Sequence, residues 1–279
     1  MTQAQEPRLG AYLDIARARQ ALPNALFDDH TTQLRVSKPT VIVFTGDWHL
    51  GAPGTDYARF EEDTHHLAAA RAVLKDKLFI IGMGDFIDGY LPSGTPRNPY
   101  QVLDPSEQRQ AAVEAFRLIQ PDLYIEGDHD LWHSQQALQH SWLFDHTQAA
   151  GGFYAQWGTR LHLTTEAGTQ TWLVRHRYPG SRSQHPTGPH KKLVSELGPA
   201  TLAALAHTHS YPGVHRAYSV RRHEGSFYAV QSGTYKQYDE YGKKLADYQG
   251  EYGVPAVLVN PDGTLVPFDD FKDGLAHLL

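Results

Sequence analysis

The sequence contains no cysteine and only two methionines in 279 residues. Without a thiol there is no disulfide scaffold, no thiolate zinc site and no cysteine nucleophile, so any metal must be held by nitrogen and oxygen. Long apolar runs are missing as well. No stretch approaches the roughly 18 consecutive apolar residues that cross a bilayer, and no basic start is followed by the short apolar run of a secretory leader. The chain therefore reads as soluble, intracellular and cytoplasmic, with no membrane partner. Repeats and low-complexity tracts are also absent, which speaks against solenoids and propellers. What is present is a globular composition, 41% hydrophobic and 20% charged, in a length that allows one large domain or two small ones at roughly 150 residues each. Seventeen histidines stand out, because imidazole is the commonest nitrogen ligand for metals.

The net charge of −6 is unevenly spread. Between Arg175 and His223 there are eight Lys/Arg against the single acid Glu196, a local +7 that leaves −13 on the remainder. Such an asymmetry suits one surface to an anionic partner.

Hydrophobic spacing predicts an α/β chain. Leu9, Tyr12, Leu13 and Ala16 fall at helical spacing, and a polar connector runs from there through Lys38. Thr40–Thr45 is a continuous β-branched and apolar run, the pattern of a strand buried on both faces. A helix is expected from about Tyr57 to Leu74, then a strand at Lys77–Ile81. Asp104-Pro105-Ser106-Glu107 supplies an N-cap, a first-turn proline and a first-turn acid for a helix to about Ile119, ahead of a strand at Leu123–Ile125. Strand, helix, strand, helix, strand is the signature of parallel βαβ units. Beyond residue 150 short strands are expected around Leu161–Thr164, Thr171–Val174, Leu202–Leu205, Val214–Val220, Phe227–Val230, Ala256–Val259 and Leu265–Phe268, forming a mixed sheet packed on the first half. Tyr235, Tyr238, Tyr241, Tyr248 and Tyr252 recur at spacings of three and four and predict a helix whose rings pack on the sheet.

Each strong strand ends in a polar motif: Gly46-Asp47-Trp48-His49, Gly84-Asp85-Phe86-Ile87-Asp88 and Gly127-Asp128-His129-Asp130. Arg175-His176-Arg177 and Ala206-His207-Thr208-His209 follow two more strands. Ligand sites in open α/β sheets lie at the carboxyl ends of strands. One Asp-x-His alone is an ordinary surface turn; five such motifs in order are not. Hydrolysing a phosphate ester near neutral pH needs a strong nucleophile and neutralisation of the phosphoryl oxygens, and two divalent ions roughly 3.5 to 4 Å apart supply both. Mixed carboxylate and imidazole ligands suit manganese, iron, zinc, cobalt or nickel.

These motifs resemble the calcineurin-like metallophosphoesterase superfamily, whose pattern is D-x-H, G-D-x-x-D/N, G-N-H-D/E, a lone H and then G-H-x-H; the match spans about residues 41 to 209. The resemblance implies a four-layer sandwich of two mixed β-sheets flanked by helices. Residues 39–279 would form this single domain, and residues 1–38 a helix and connector packed on it. Asp47, His49, Asp85 and His209 would hold one ion, Asp85 would bridge, and Asp128, His176 and His207 would hold the other, with Mn²⁺ the expected metal. His129 would stabilise the transition state or protonate the leaving oxygen, oriented by Asp130, while Asp88 matches a structural position. A water or hydroxide between the ions would attack phosphorus in line. The chain departs from the pattern twice, at Ala206 for Gly and at Asp128 for Asn. The second matters, because a carboxylate lacks the amide donor that would meet the phosphate, which predicts that Asp128 still binds metal, more tightly if anything, but weakens phosphate binding or favours a less charged diester.

Arg177, Arg182, His185, His190, Lys191 and Lys192 lie on a cationic loop where they are expected to contact phosphates flanking the scissile one, although a merely solvated basic loop fits as well. The leading expectation is a metal-dependent phosphodiesterase or nuclease acting on DNA, RNA or nucleotides. A phosphomonoesterase or pyrophosphohydrolase on small substrates is the alternative, and a weakly active metal-binding scaffold a third.

Overall fold

The computed structural model describes residues 30–90, 101–134, 140–180, 185–218, 225–238 and 250–279. The expected N-terminal helix, Arg182, Tyr241 and Tyr248 lie outside the described residues. Strands β2 (Thr40–Thr45), β3 (Leu78–Gly82), β4 (Leu123–Ile125) and β5 (Phe153–Ala155) run parallel, and β11 (Ala256–Val259) and β12 (Leu265–Phe268) add antiparallel pairs, giving the order β12-β11-β2-β3-β4-β5. The second sheet has the order β1-β6-β7-β8-β10-β9 and is likewise mixed. It is built from β1 (His30–Arg35), β6 (Gly158–Thr165), β7 (Gly168–Arg175), β8 (Leu202–Leu205), β9 (Gly213–Tyr218) and β10 (Ser226–Gln231).

The alternation of side chains along these strands determines the layers. Val41, Val43, Leu78 and Ile80 face a core closed by α1 (Tyr57–Leu74), α2 (Pro105–Ile119), α4 (Trp142–Ala150) and α6 (Phe271–Ala276). Their neighbours Ile42, Phe44, Phe79 and Ile81 face Leu161, Trp172, Val174, Leu202 and Ala204 of the second sheet. Leu173, Ala203 and Leu205 point the other way, onto Leu193 and Val194 of α5 (Gly188–Leu197). Helices, sheet, sheet and helix are thus the four layers expected of this fold class. Between β4 and α4, the short helix α3 (Asp128–His133) opens on the third motif.

Helix α2 starts as its sequence dictates. The Asp104 carboxylate accepts from the Ser106 and Glu107 amides at 2.7 and 2.9 Å, and Glu107 Oε2 accepts from the Asp104 amide at 2.8 Å. Such a reciprocal box satisfies amides the helix cannot.

Two expectations need correction. The polar connector before Lys38 contains β1, which pairs in parallel with β6 from His30↔Thr159 to Arg35↔Thr164; its alternating polar pattern is that of an edge strand. The tyrosine spacing does not give a helix at Tyr235–Tyr238, where the chain is extended and Lys236 bridges Thr55. Backbone partners decide this: the Tyr235 amide donates to Asp47 O and the Gln237 amide to Gly54 O. Tyr235 and Tyr252 do pack, with both hydroxyls donating to Asp63 Oδ2 at 2.9 and 2.7 Å.

Phe44 and Trp172 stack between the sheets with ring centroids 6.3 Å apart, and both are fully buried. Phe44→Ala is expected to destabilise the protein by about 3–5 kcal/mol, read as a lower urea midpoint at unchanged m-value.

Candidate metal centre

The loops after β2 and β3 are held side by side by a continuation of the sheet's own hydrogen bonding. The Asp47 amide donates to Gly84 O at 2.8 Å and the His49 amide to Asp85 O at 3.0 Å. Across the sandwich, the Ala206 amide donates to His176 O at 2.9 Å, aligning the ends of β7 and β8. Glycine is required where the loops after β3 and β4 touch. A Cβ on Gly127 would lie 2.2 Å from the Asp85 amide nitrogen, and one on Gly84, whose φ is +91°, would lie 2.6 Å from Gly127 N.

Eight non-glycine residues among those described have positive φ, and five of them are Asp47 (49°), His49 (47°), Asp85 (53°), His207 (68°) and His209 (52°). That conformation costs of order 1–3 kcal/mol per residue and persists where function requires a particular side-chain direction. The strain turns these side chains toward one another. Asp47, His49 and His209 form one group of potential ligand atoms within 4.8 Å, and Asp85, His176 and His207 form a second. His49 Nε2 lies 3.0 Å from His209 Nε2 and 3.9 Å from Asp85 Oδ2, so the groups adjoin. Asp128 Oδ2 is 3.5 Å from His207 Nδ1 and enlarges the second group.

Both groups fit a cation. Asp47 Oδ1, Asp85 Oδ2, His176 Nε2 and His207 Nδ1 are shielded from solvent and have no hydrogen-bond partner, although such buried atoms are normally paired. Their companion atoms are fixed: His176 Nδ1 donates to Met83 O at 2.7 Å, Asp47 Oδ2 accepts from the His207 amide at 2.8 Å, and Asp85 Oδ1 accepts from the His129 amide at 2.8 Å. Outer-shell bonds of this kind select the tautomer and aim the free atom. The electrostatics also call for positive charge. Burial would lower the pKa of His176, yet Asp85 and Asp47 beside it push it up to about 10. Burial would raise Asp85, yet His176 and His129 hold it well below the usual carboxylate range. By contrast His49 is pulled down to about 3 by burial, which keeps its imidazole neutral and able to donate a lone pair.

His129 is 8% exposed, and its ring lies edge-on to His49 at 4.6 Å, between Tyr90 and Trp132 at 5.1 and 4.7 Å. Its Nδ1 donates to the carbonyl of Asp88 at 2.5 Å. The expected orienting role of Asp130 is therefore corrected. The Asp130 carboxylate accepts from the Phe86 and Gly127 amides at 3.2 and 3.1 Å and shapes the loop instead. His133, next to Trp132, is buried and bonded to Arg109 of α2.

The basic loop divides. Arg177 reaches the centre, its Nη1 2.8 Å from Asp128 Oδ2. His190 is 1% exposed on α5 and its Nε2 donates to Val230 O, a buried packing position that corrects the expected phosphate contact. His185 is exposed, with its Nδ1 accepting from the Thr187 amide, and Lys191 is half-buried.

No pattern in the sequence marks Lys236. It is 3% exposed and donates from Nζ to Asp88 Oδ1 at 2.9 Å, while Thr234 Oγ1 donates to Asp47 O at 2.8 Å. Among the described residues no helix is long and apolar enough to cross a membrane.

The sequence profile of calcineurin-like phosphoesterases matches residues 40–258. No curated protein matches the chain significantly in sequence. Similar solved structures include a 5'-nucleotidase precursor from Thermus thermophilus at 11% identity and a TM-score of 0.39, covering 86% of this chain and 58% of that one. The chain thus spans under two thirds of that protein's length. Calcineurin-like phosphoesterase YfkN from Bacillus subtilis aligns at 11% identity and a TM-score of 0.41, covering 84% and 89% of the two chains. Vps29 from Chaetomium thermophilum aligns at 12% and 0.38, covering 83% and 95%. None of these likenesses bears on substrate.

Lys236→Met leaves the buried Asp88 carboxylate without the ammonium that faces it and is expected to cost about 3–5 kcal/mol in denaturant unfolding, with partial recovery on adding Asp88→Asn.

Proposed function

The chain belongs to the calcineurin-like phosphoesterase family, hydrolases of phosphate esters, and from that premise we propose that it is a two-metal phosphodiesterase acting on nucleotide or nucleic-acid esters. Two divalent ions, proposed as Mn²⁺, held by Asp47, His49, Asp85 and His209 and by Asp85, Asp128, His176 and His207, would neutralise phosphoryl charge and lower the pKa of water. Every other step falls to the chain itself. His129, with Nδ1 committed to the Asp88 carbonyl, presents Nε2 to the cluster and is assigned the proton delivered to the leaving oxygen. Gly84 and Gly127 permit the approach of loops that fixes Asp85.

The observation that carries the diester reading is Asp128. A carboxylate adds negative charge to the ligand set and has no hydrogen to donate, which penalises a dianionic monoester more than a monoanionic diester. Arg177, paired with that carboxylate, supplies at the lip the donors an amide would have provided. Arg175, which lines the adjoining concavity with His176 and Arg177, favours an ester with further phosphates, as in nucleic acid.

With Mn²⁺, bis(p-nitrophenyl) phosphate is expected to be turned over with higher kcat/KM than p-nitrophenyl phosphate, and Asp128→Asn to narrow that gap. Preference for the monoester would instead establish a phosphatase, and turnover of neither a scaffold. His129→Ala is expected to lower kcat by roughly a hundredfold to ten-thousandfold while elemental analysis finds the metal content unchanged. Metal loss in that variant would make His129 a ligand.

A further inference from the structure

A second concavity shares a wall with the candidate metal centre. It has a volume of about 240 Å³ and is lined by Trp157, Arg175, His176, Arg177, Tyr178 and Pro179. The β6–β7 ladder explains how it forms. Its last register pair sets Gly158 opposite Arg175, so Trp157 is carried just past the ladder to the level of His176. Gly158 makes room there, since a Cβ at that position would lie 2.2 Å from Arg175 Cγ. Trp157 is 41% exposed, a large apolar ring facing solvent within a few residues of the ligand cluster. The Arg175 guanidinium lies 5.8 Å from the centre of the Tyr178 ring, and the Tyr178 hydroxyl is tied to Glu196. Arg177 connects this concavity to the centre through Asp128.

An aromatic face, two guanidinium groups and an adjoining phosphoryl site form a combination of distinct chemistry. The ring offers stacking to a planar heterocycle, the arginines offer charge and bidentate hydrogen bonds to phosphate, and the shared wall fixes the distance between them. We propose that this concavity is a nucleoside subsite, in which the base of the substrate's ester group stacks on Trp157 while Arg175 and Arg177 hold the phosphate beside it. The proposal rests on the phosphoesterase reading for its reaction, but not for its binding.

Isothermal titration of the Mn²⁺-loaded full chain with adenosine 5'-monophosphate and with inorganic phosphate tests it. The nucleotide is expected to bind roughly tenfold or more tightly than phosphate, the scale of one base stacked on an aromatic side chain. Trp157→Ala should bring the ratio of the two affinities close to one, and Trp157→Phe should retain most of it. Because Trp157 is part-exposed, circular dichroism of both variants serves as the folding control. A 5'-phosphorylated single-stranded oligonucleotide showing the same dependence on Trp157 places the end of a strand in the subsite. Dependence for the mononucleotide alone places a free nucleotide there. Equal affinity for nucleotide and phosphate, or a ratio that Trp157→Ala leaves intact, overturns the proposal even if p-nitrophenyl esters are hydrolysed. A Trp157-dependent nucleotide preference in a protein that hydrolyses no ester upholds the subsite and removes the hydrolase reading instead.

Discussion

Asp85 is the residue on which the site depends. One carboxylate oxygen accepts the His129 amide; the other faces His176 at 3.2 Å and His49 and His207 at 3.9 Å, without a hydrogen-bond partner. A bare carboxylate oxygen at 1% exposure is costly unless positive charge stands against it. Asp47 and Asp128 add further negative charge nearby, so the arrangement calls for positive charge within it. That His176 is raised to about 10 in spite of burial, chiefly through Asp85, expresses the same demand. The strained backbone at Asp47, His49, Asp85, His207 and His209 is a second cost borne for the same end.

Such a cluster can exist only where rigid elements hold it together. The shared core of Phe44, Ile81, Trp172, Leu202 and their neighbours locks the sheets face to face, which brings the ends of β2, β3 and β4 against those of β7 and β8. Neither sheet alone carries a complete ligand group: Asp47 and His49 come from one and His209 from beyond the other, and Asp85 meets His176 and His207 across the same divide. Packing energy in the sandwich thus sustains buried charge and strain at its rim, the usual exchange of stability for function.

How much of this was legible in the sequence follows from the range of each interaction. The βαβ half was readable because burial on both faces makes β2, β3 and β4 continuous apolar runs, and because Asp104, Pro105 and Glu107 mark a helix start through bonds only two or three residues long. The polar tips of those strands were readable for the same reason, being fixed in position relative to the runs. Contacts between distant segments were not. β1 is a strand only because β6 accepts it, and its polar alternation resembles a connector. The tyrosine series resembles a helix, but the carbonyls of Asp47 and Gly54 hold Tyr235–Tyr238 extended. Lys236 lies in that misread segment, and no local pattern announces a lysine destined for Asp88, 148 residues earlier. Sequence proximity places His190 at the site and the resemblance places Asp130 there; the first donates to the Val230 carbonyl and the second accepts from two loop amides.

Asp128 and Arg177 show how one departure from a family pattern can be answered elsewhere. As a stabilising ion pair they count for little: Arg177 is 54% exposed, and exposed pairs contribute only about 0–1 kcal/mol. Their effect is positional. Asp128 is 4% exposed at the first turn of α3, so its oxygen is a fixed point, and the guanidinium that leans on it is brought from solvent to the lip of the centre. An asparagine would present an amide with two N–H donors and no charge; this pair presents a buried carboxylate beside His207 and, one hydrogen bond further out, a guanidinium with five N–H donors. Under the proposed two-metal reading the centre would gain an anionic ligand while Arg177 keeps a cation at its entrance. On that reading charge would separate along the direction from which a phosphate arrives, and a monoanionic diester would be repelled less by the carboxylate behind the arginine than a dianionic monoester.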